Sequence, residues 1–267
     1  MTNILNLFNL TGKVAVITGG AGLLGRQHAV AISAFGGIPA ILDIDYRAAN
    51  DVAKEIGGLA FECDVTNPTS IGTTLIDVIS AQGHVDILVN NVSCNANIET
   101  LGIRSRLEYY SYVQWNDYLE LGLSSAFLCS KIIGGYMAKS AGGVVVNIAS
   151  DLSVIAPDQR LYRKDGLEDD EQPMKPVSYS VVKHGVIGLT RYLATYWAGK
   201  VRVNALSPGG VFNNQPDKFV KRVSNLIPMG RMADVSEMQG ALVFLCSEAS
   251  RYMNGQNLVI DGGRSSW

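Results

Sequence analysis

The stretch "KVAVITGGAGLLGRQHAVAISAFG" (residues 13–36) decides the fold class of this 267-residue chain. Its first part, Lys13–Thr18, is apolar on both faces, which is typical of a strand buried in a parallel sheet between two layers of helices. Glycines follow at once, and the apolar spacing after them predicts a helix over about residues 23–35. The stretch therefore predicts a buried strand, a glycine-rich turn and a helix in direct succession.

The same alternation continues along the chain. Further strands are predicted at Ala40–Asp43, Asp86–Asn90, Gly143–Ser150, Val201–Leu206 and Asn257–Gly263. Further helices are predicted at about 46–56, 68–82, 115–138, 178–198 and 234–247. Strands that alternate with helices predict a doubly wound α/β sheet of the Rossmann type, with helices on both faces. Because no linker-like stretch divides the chain, we expect one domain over residues 1–267.

The glycine-rich turn has the spacing of a phosphate-binding turn. Gly20, Gly22 and Gly25 fit the pattern G-x-G-x-x-G, with a predicted strand before it and a predicted helix after it. Glycines at these positions let backbone N–H groups approach a pyrophosphate, and the helix N-terminus adds partial positive charge. The turn therefore predicts a dinucleotide site.

Asp43 indicates which dinucleotide binds there. It ends the second predicted strand, 18 positions after Gly25. A carboxylate at this point accepts hydrogen bonds from the ribose hydroxyls and repels a 2′-phosphate, which favours NAD over NADP. Arg26 and Arg47 lie nearby in the sequence and are either exposed helix residues or groups that weaken this preference.

Polar residues follow two more of the buried segments. Asp64 lies in "CDVTN", and Asn90 and Asn91 lie in "VNNVS". Each of them is a residue type that commonly caps a turn. As a set at successive strand ends they favour cofactor contacts, because open α/β sheets bind ligands at the carboxyl ends of their strands.

Tyr179 and Lys183 lie four residues apart at the start of a predicted helix, so the phenol and the ammonium share one helix face. They are either an ordinary surface pair or a proton donor beside a charge that tunes it. A free tyrosine has a pKa of about 10, and a neighbouring cation would bring that pKa closer to neutrality.

Composition excludes several other classes of protein. Hydrophobic residues make up 47% of the chain, the formal net charge is −2, and no Lys/Arg run suits nucleic acid or a membrane surface. We expect no membrane span and no signal peptide. The four cysteines are far apart and the three histidines are unpaired, so a reduced cytoplasmic protein without a metal centre is expected.

One polar segment, Val154–Ser178, interrupts the alternation of strands and helices. It contains three prolines and charges of both signs, and it lies between Ser150 and Tyr179. A surface loop without a task is one interpretation. Its position beside the strand ends favours a lid over the substrate side of a site instead.

The motifs "TGGAGLLG", "DV" at 64–65, "NNVS", "NIAS", "YSVVK", "RVNALSPGGV" and "IDGG" resemble the compact single-domain branch of the short-chain dehydrogenase/reductase family. The resemblance covers nearly the whole chain. It implies a seven-stranded parallel sheet, a nicotinamide cofactor, and a homo-oligomer that is a tetramer or a dimer.

The resemblance also assigns residues, by matching motif. It implies catalytic roles for Ser150, Tyr179 and Lys183. The positions that it implies for cofactor contacts are Gly19, Gly22, Leu24, Gly25, Asp43, Asp64, Val65, Asn91, Tyr179, Lys183 and Val211.

The chain departs from the family pattern at three places. The glycine spacing is T-G-x-x-G-x-x-G, with Leu23 where the compact branch has glycine. Gly122 stands where the family has an asparagine that holds a water in the proton relay behind the lysine. Ser150 and Tyr179 are separated by 29 positions, much more than is usual, and Val154–Ser178 fills that gap.

The sequence thus predicts an NAD(H)-dependent oxidoreductase that interconverts an alcohol and a carbonyl of a small polar molecule. The stretches "SPGGVFNNQPDKFVKR" and "MNGQNLVIDGG" are similar to oxidoreductases of cell-surface sugar and flagellin-glycan modification, which favours a polyol, sugar or sugar-nucleotide substrate. Two alternatives stay open: reduction of a 3-oxoacyl thioester, and NAD(H) binding without turnover by a sensor protein.

Overall fold

The computed structural model describes residues 4–94 and 98–267. Its centre is one seven-stranded sheet in which all neighbouring strands run parallel, in the order β3-β2-β1-β4-β5-β6-β7. The strands are β1 Val14–Thr18, β2 Ile38–Asp43, β3 Leu59–Glu62, β4 Ile87–Asn90, β5 Gly143–Ile148, β6 Val201–Pro208 and β7 Asn257–Ile260. The expected doubly wound, seven-stranded α/β fold is confirmed.

Seven helices of eight or more residues, some with turns of another helix type, accompany the sheet in the described part of the chain. They are α1 Leu23–Ala34, α2 Tyr46–Ile56, α3 Pro68–Gln82, α4 Tyr112–Lys139, α5 Val177–Tyr196, α6 Asp217–Ser224 and α7 Gln239–Cys246. Two stretches of α4, Glu120–Ser124 and Ser130–Gly134, have π-helical hydrogen bonding.

Alternate residues of each strand pack into two separate cores. In β1, Ala15 and Ile17 face a core built with α1, α2 and α7, whereas Val14 and Val16 face a core built with α3, α4 and α5. All four of these side chains are buried, which explains why Val14–Ile17 is a continuous apolar run. The sheet is therefore the middle of three layers.

The strand order places a ligand crevice at one edge of the sheet. The chain crosses from one half to the other between β1 and β4, where Val16 pairs with Leu88 on one side and with Ala40 on the other. In such sheets the connections leave a crevice at the carboxyl ends of the strands beside this switch point.

Two elements were absent from the strands and helices inferred from the sequence pattern. β3 is a four-residue edge strand whose side chains are half-buried or exposed, so it lacks the apolar run of the inner strands. The second element, α6, is mostly polar and buries only Val223 among its residues.

The expectation that no segment is long and apolar enough to span a membrane needs a correction. By length and composition alone, α4 passes that criterion, with 28 residues and a window of mean hydropathy 1.2. Half of that window is buried within the fold. Cys129, Ile133 and Met137 of α4 are fully buried against the sheet, as in a core helix.

Candidate active site

A cleft of about 640 Å³ opens at the carboxyl ends of the strands. Its walls combine the glycine-rich turn, the ends of β2, β4 and β5, the start of α5 and the segment after β6. Of the predicted site residues, Gly19, Gly22, Leu24, Asp43, Asp64, Val65, Asn91, Ser150, Tyr179, Lys183 and Val211 line it. The sequence motifs thus meet in one place.

Gly25 does not line the cleft, but its lack of a side chain shapes the turn. A Cβ at Gly25 would lie 2.2 Å from the carbonyl oxygen of Gly19, so only glycine lets α1 start this close to the turn. Gly19 has a φ of 58°, a backbone conformation that favours glycine. The Asn91 side chain fixes the turn by donating to the carbonyls of Thr18 and Gly19, at 3.0 Å each.

The end of β2 presents a carboxylate to the same end of the cleft. Asp43 Oδ2 accepts a hydrogen bond from the backbone N–H of Ala21 at 3.1 Å, which couples the carboxylate to the glycine-rich turn. Arg26, a nearby cation, is paired with Glu55, with 2.7 Å between Nη2 and Oε1. Of the two cations that could weaken the effect of Asp43, Arg26 is therefore engaged elsewhere.

The neighbouring strand ends supply a polar and an apolar wall. Asp64 Oδ1 accepts from the backbone N–H and the hydroxyl of Thr66, and these hydrogen bonds hold the pKa of Asp64 below its usual value. Val65 is buried beside it. Val211 is held by a parallel bridge to Ala233.

Asn90 lies beneath the cleft in a buried polar network. Its Nδ2 donates to Asn147 Oδ1 at 2.8 Å and to Ser130 Oγ at 3.0 Å, and Asn147 in turn donates to Thr190. The network connects β4, β5, α4 and α5. Of the two asparagines after β4, Asn91 therefore faces the cleft, and Asn90 ties the layers together.

Ser150, Tyr179 and Lys183 converge although the first two lie 29 positions apart. Ser150 follows the end of β5, while Tyr179 and Lys183 lie in the first turns of α5. Lys183 is 3% exposed, donates from Nζ to the carbonyl of Ile148 at 3.0 Å, and lies 5.8 Å from the centre of the Tyr179 ring. The backbone at the end of β5 thus positions the lysine beside the phenol.

The electrostatics of this group differ from the expectation of a tyrosine pKa brought towards neutrality. Burial raises the pKa of Tyr179, interaction with the Ser150 hydroxyl lowers it, and the negative charge of Asp151 raises it. Burial and repulsion by Lys175 lower the pKa of Lys183 to about 8. In this structure, desolvation therefore outweighs the effect of the neighbouring cation.

Lys175 is a part of the site that the sequence motifs missed. Its Nζ lies 3.8 Å from the centre of the Tyr179 ring, which is closer than Lys183. Burial lowers the pKa of Lys175 to about 8, although the charge of Asp151 acts in the opposite direction. The only signal in the sequence is its position four residues before Tyr179, at the end of the polar segment.

A buried ion pair is the second part of the site that the sequence analysis missed. Asp151 and Arg264 both line the cleft, and Arg264 Nη1 donates to Asp151 Oδ2 at 2.7 Å. Asp151 Oδ1 accepts from the Ser150 hydroxyl at 2.9 Å. The position of Asp151 next to Ser150 was a usable signal, but nothing in the sequence pattern connects residue 264 with this site.

Gly122 lies in the first π-helical stretch of α4, where the helix meets α5. A Cβ at this position would lie 2.6 Å from Cγ1 of Val182. An asparagine at this position therefore needs the side chain of Val182, next to Lys183, to move. The close approach of the two helices explains the glycine.

The segment Val154–Ser178 is packed against the protein rather than fully solvated. Leu161 is 5% exposed and shares a small apolar cluster with Val223, Ile227 and Met232. Gln172 is 4% exposed and bonds the backbone of the segment itself. These two residues are therefore buried within an otherwise polar segment.

Two arginines and one serine outside the segment tether it. Arg106 donates to the carbonyls of Asp169 and Gln172, and Arg222 donates to the carbonyl of Leu161. Ser105 accepts from the backbone N–H of Met174 at 2.8 Å. The segment contributes Leu161, Tyr162 and Lys175 to the cleft wall.

Comparison with known proteins identifies the family. Residues 13–162 match the model described as short chain dehydrogenase, and residues 171–265 match one described as Enoyl-(Acyl carrier protein) reductase. The chain belongs to the short-chain dehydrogenase/reductase family. Residues 163–170, in the middle of the polar segment, are matched by neither model.

Several relatives are named as dehydrogenases of polyols. The chain is 34% identical to D-threitol dehydrogenase of Mycolicibacterium smegmatis, over 96% of this chain and 94% of the relative. It is 32% identical to the NAD-dependent glycerol dehydrogenase of Listeria innocua, over 96% and 95%. It is 31% identical to the NADP-dependent mannitol dehydrogenase of Alternaria alternata, over 98% and 96%.

A solved structure with the same fold is a gluconate 5-dehydrogenase from Burkholderia cenocepacia in complex with NADP and tartrate. The two structures superpose with a TM-score of 0.85 at 26% identity, over 99% of this chain and all of the other. These relationships support an oxidoreductase that acts on a CH–OH group with a nicotinamide cofactor.

Proposed function

We propose that the protein is an NAD(H)-dependent dehydrogenase that interconverts a polyol or sugar with its carbonyl form through Ser150, Tyr179 and Lys183. The observation that carries the proposal is that these three side chains and the glycine-rich turn line one cleft. The relatives named for threitol, glycerol and mannitol support a polyol as the substrate.

The cleft suits a dinucleotide at the end formed by Gly19, Gly22 and Asp43. Gly22 caps α1 without a side chain, so backbone N–H groups and the helix N-terminus are accessible to phosphate. Asp43 favours NAD by repelling a 2′-phosphate, and the Arg26–Glu55 pair removes one competing cation. The bound nicotinamide supplies the hydride acceptor or donor.

Tyr179 is the general acid/base in this proposal, because its phenol lies beside two lysines and Ser150. In alcohol oxidation it takes the hydroxyl proton of the substrate, and in carbonyl reduction it returns that proton. Ser150 positions the reacting oxygen. Lys183 stabilises the phenolate and is held in place by the Ile148 carbonyl.

Charged groups on the substrate side of the cleft disfavour the acyl-thioester alternative. Asp151, Lys175 and Arg264 line the cleft near Tyr179, whereas a long acyl chain requires an apolar wall. The match of residues 171–265 to the Enoyl-(Acyl carrier protein) reductase model is the one observation that favours the acyl-thioester alternative. The presence of all three proposed catalytic residues in one cleft disfavours the sensor alternative.

Two further proposals concern the assembly and the polar segment. We propose that the protein forms a homo-oligomer through α4 and α5, which carry exposed apolar side chains, and that Val154–Ser178 is a substrate-side lid. The segment supports this role through the three residues that it contributes to the cleft. A cytoplasmic location stays a prediction.

A turnover assay tests the catalytic proposal. Threitol, glycerol and mannitol are incubated with NAD or NADP, and reduced nicotinamide is followed by absorbance. We expect oxidation of at least one polyol, and a loss of about 100-fold or more in Tyr179→Phe, because the variant lacks the acid/base. The exposed Tyr252→Phe is the control. Equal activity of Tyr179→Phe and the unaltered protein would refute the assignment.

A further inference from the structure

We propose that Arg264, held in place by Asp151, recognises a second oxygen of the substrate, so that the site selects neutral vicinal diols over simple alcohols. The inference rests on the proposed function, because it takes Ser150 and Tyr179 as the place of the reacting carbinol. It makes Arg264 a specificity-determining residue, supplied by the segment after β7.

Arg264 has donors that the protein itself does not use. The side chain is 9% exposed and lines the cleft. A guanidinium carries five N–H donors. Among the described residues, the side-chain hydrogen bonds of Arg264 end at Asp151. Because Arg264 lines the cleft, an oxygen atom of a bound substrate is the expected partner for the other donors.

Asp151 sets the distance between this guanidinium and the reacting oxygen. Its Oδ1 accepts from the Ser150 hydroxyl at 2.9 Å and from the backbone N–H of Leu152 at 2.8 Å, while Oδ2 accepts from Arg264 at 2.7 Å. One buried carboxylate thus holds both the serine and the guanidinium. In the proposed arrangement, a substrate with its reacting oxygen at Ser150 presents the oxygen of the adjoining carbon to Arg264.

The charge of the pair decides what kind of oxygen it binds. Asp151 and Arg264 are 4% and 9% exposed in their side chains and neutralise each other. A neutral pair offers hydrogen bonds without net attraction for an anion, which suits a hydroxyl group. Lys175 and Lys183 lie beside the Tyr179 ring, at 3.8 and 5.8 Å from its centre.

The first test uses the unaltered protein and substrates of four carbons. The kcat/KM for 2,3-butanediol is compared with that for 2-butanol, with 1,3-butanediol as a diol whose oxygens are not adjacent. We expect an advantage of about 10- to 100-fold for the vicinal diol, the effect of one hydrogen bond to a charged group. Equal values for 2,3-butanediol and 2-butanol would overturn the proposal.

A second comparison separates a hydroxyl from a carboxylate. Threitol and threonate differ in one terminal group, and we expect threitol to be the better substrate. A preference for threonate would overturn the neutral-diol assignment. If no alcohol is oxidised at all, the proposed function fails. The inference is then decided by binding of threitol and 2-butanol to the protein with NADH, measured by calorimetry, with tighter threitol binding expected.

Variants locate the effect at Arg264. Arg264→Lys keeps a cation for Asp151 but lacks the planar fork of donors. We expect the ratio of the kcat/KM for 2,3-butanediol to the kcat/KM for 2-butanol to lose most of its diol advantage, while the Kd for NADH stays nearly unchanged. Arg264→Met leaves Asp151 as a buried charge without its partner, which can prevent folding. In that case the double variant Asp151→Asn with Arg264→Met is used, because it removes both charges. The exposed Arg251→Met is the control and should keep the preference. An equal loss for both alcohols in Arg264→Lys would show a merely structural role.

Discussion

His28 in α1 is a buried titratable residue outside the cleft. Its side chain is 0% exposed, and neither ring nitrogen has a hydrogen-bond partner among the described residues. Burial lowers its pKa to about 4, so the imidazole is neutral in the folded protein at neutral pH. An unfolded chain protonates the same histidine near pH 6.5, its usual value.

The stability of the protein should therefore fall as the pH drops from about 6.5 to about 4, because His28 is protonated in the unfolded state but stays neutral in the folded state. At pH 5 this residue alone should lower the free energy of unfolding by about 2 kcal/mol relative to pH 7. Urea unfolding at both pH values measures it. In His28→Leu the difference between the free energies of unfolding at pH 7 and pH 5 should shrink by that amount. The variant His184→Gln, at an exposed histidine, should retain the full difference. An unchanged difference in His28→Leu would contradict the prediction.

A second prediction for a single residue concerns Asp43 and the choice between NAD and NADP. Asp43→Ala removes the charge that repels a 2′-phosphate and leaves the Arg26–Glu55 pair intact. We expect the ratio of the Kd for NADP to that for NAD to fall by at least about tenfold, measured by titration of the protein with each cofactor. Asp45→Ala is the control, because Asp45 caps α2 two residues away. A protein that binds NADP as tightly as NAD before any substitution would refute the assignment.

Individual site residues were predictable where a local motif contains them. Tyr179 and Lys183 lie one helical turn apart, and Asp43 ends a strand, so short-range periodicity points to each of them. Arg264 and Lys175 reach the cleft only through tertiary packing. An arginine 113 positions away from its partner Asp151 leaves no local pattern.

At the scale of elements, the inner strands and the long helices followed from their apolar patterns. β3 did not, because an edge strand with half-buried side chains lacks the continuous apolar run of the inner strands. The π-helical stretches of α4 were equally invisible, because the apolar pattern does not distinguish them from an α-helix. The first stretch contacts α5. The close approach of Gly122 to Val182 is such a contact.

The proposed role of the segment Val154–Ser178 as a lid can be tested by shortening it. A deletion of residues 165–170 spares the buried Leu161 and Gln172 and removes only exposed residues of the segment. We expect a higher KM or a lower kcat for the polyol with nearly unchanged NAD affinity, because a shortened lid excludes water less well. Steady-state kinetics and a cofactor titration measure both.

The control for this deletion is the charge variant Asp169→Asn in the full-length segment. Asp169 bonds Arg163 through its side chain and Arg106 through its backbone carbonyl, so the substitution changes only the exposed ion pair. Its kinetics should match those of the unaltered protein. An unaltered kcat/KM in a folded deletion variant would rule out the lid.

For the whole molecule, an apolar surface on α4 and α5 is left uncovered by the chain itself. Phe127 of α4 is 47% exposed, and Val181, Tyr192 and Tyr196 of α5 are 39%, 62% and 68% exposed. The two helices pack side by side, with Gly122 against Val182, so these side chains lie on adjoining elements. Contiguous exposed apolar groups of this kind mark association surfaces.

We expect the purified protein to be a homo-oligomer and Tyr192→Glu to lower its molecular mass in analytical ultracentrifugation, because a carboxylate is costly to bury in an apolar contact. Tyr252→Glu, at a fully exposed tyrosine outside these helices, should leave the mass unchanged. A monomer of 28.7 kDa in the unaltered protein would contradict the proposal.

The Asp151–Arg264 contact has a consequence for the order of events in folding. It joins residues 113 positions apart, and Arg264 follows β7, the strand at one edge of the sheet. Contacts of such long range form late, since the entropy of closing a large loop must be overcome first. On the ribosome, β1 to β5 are complete long before Arg264 emerges. Ser150 therefore acquires its final surroundings only after most of the sheet has assembled, and catalytic competence should lag behind the gain of secondary structure.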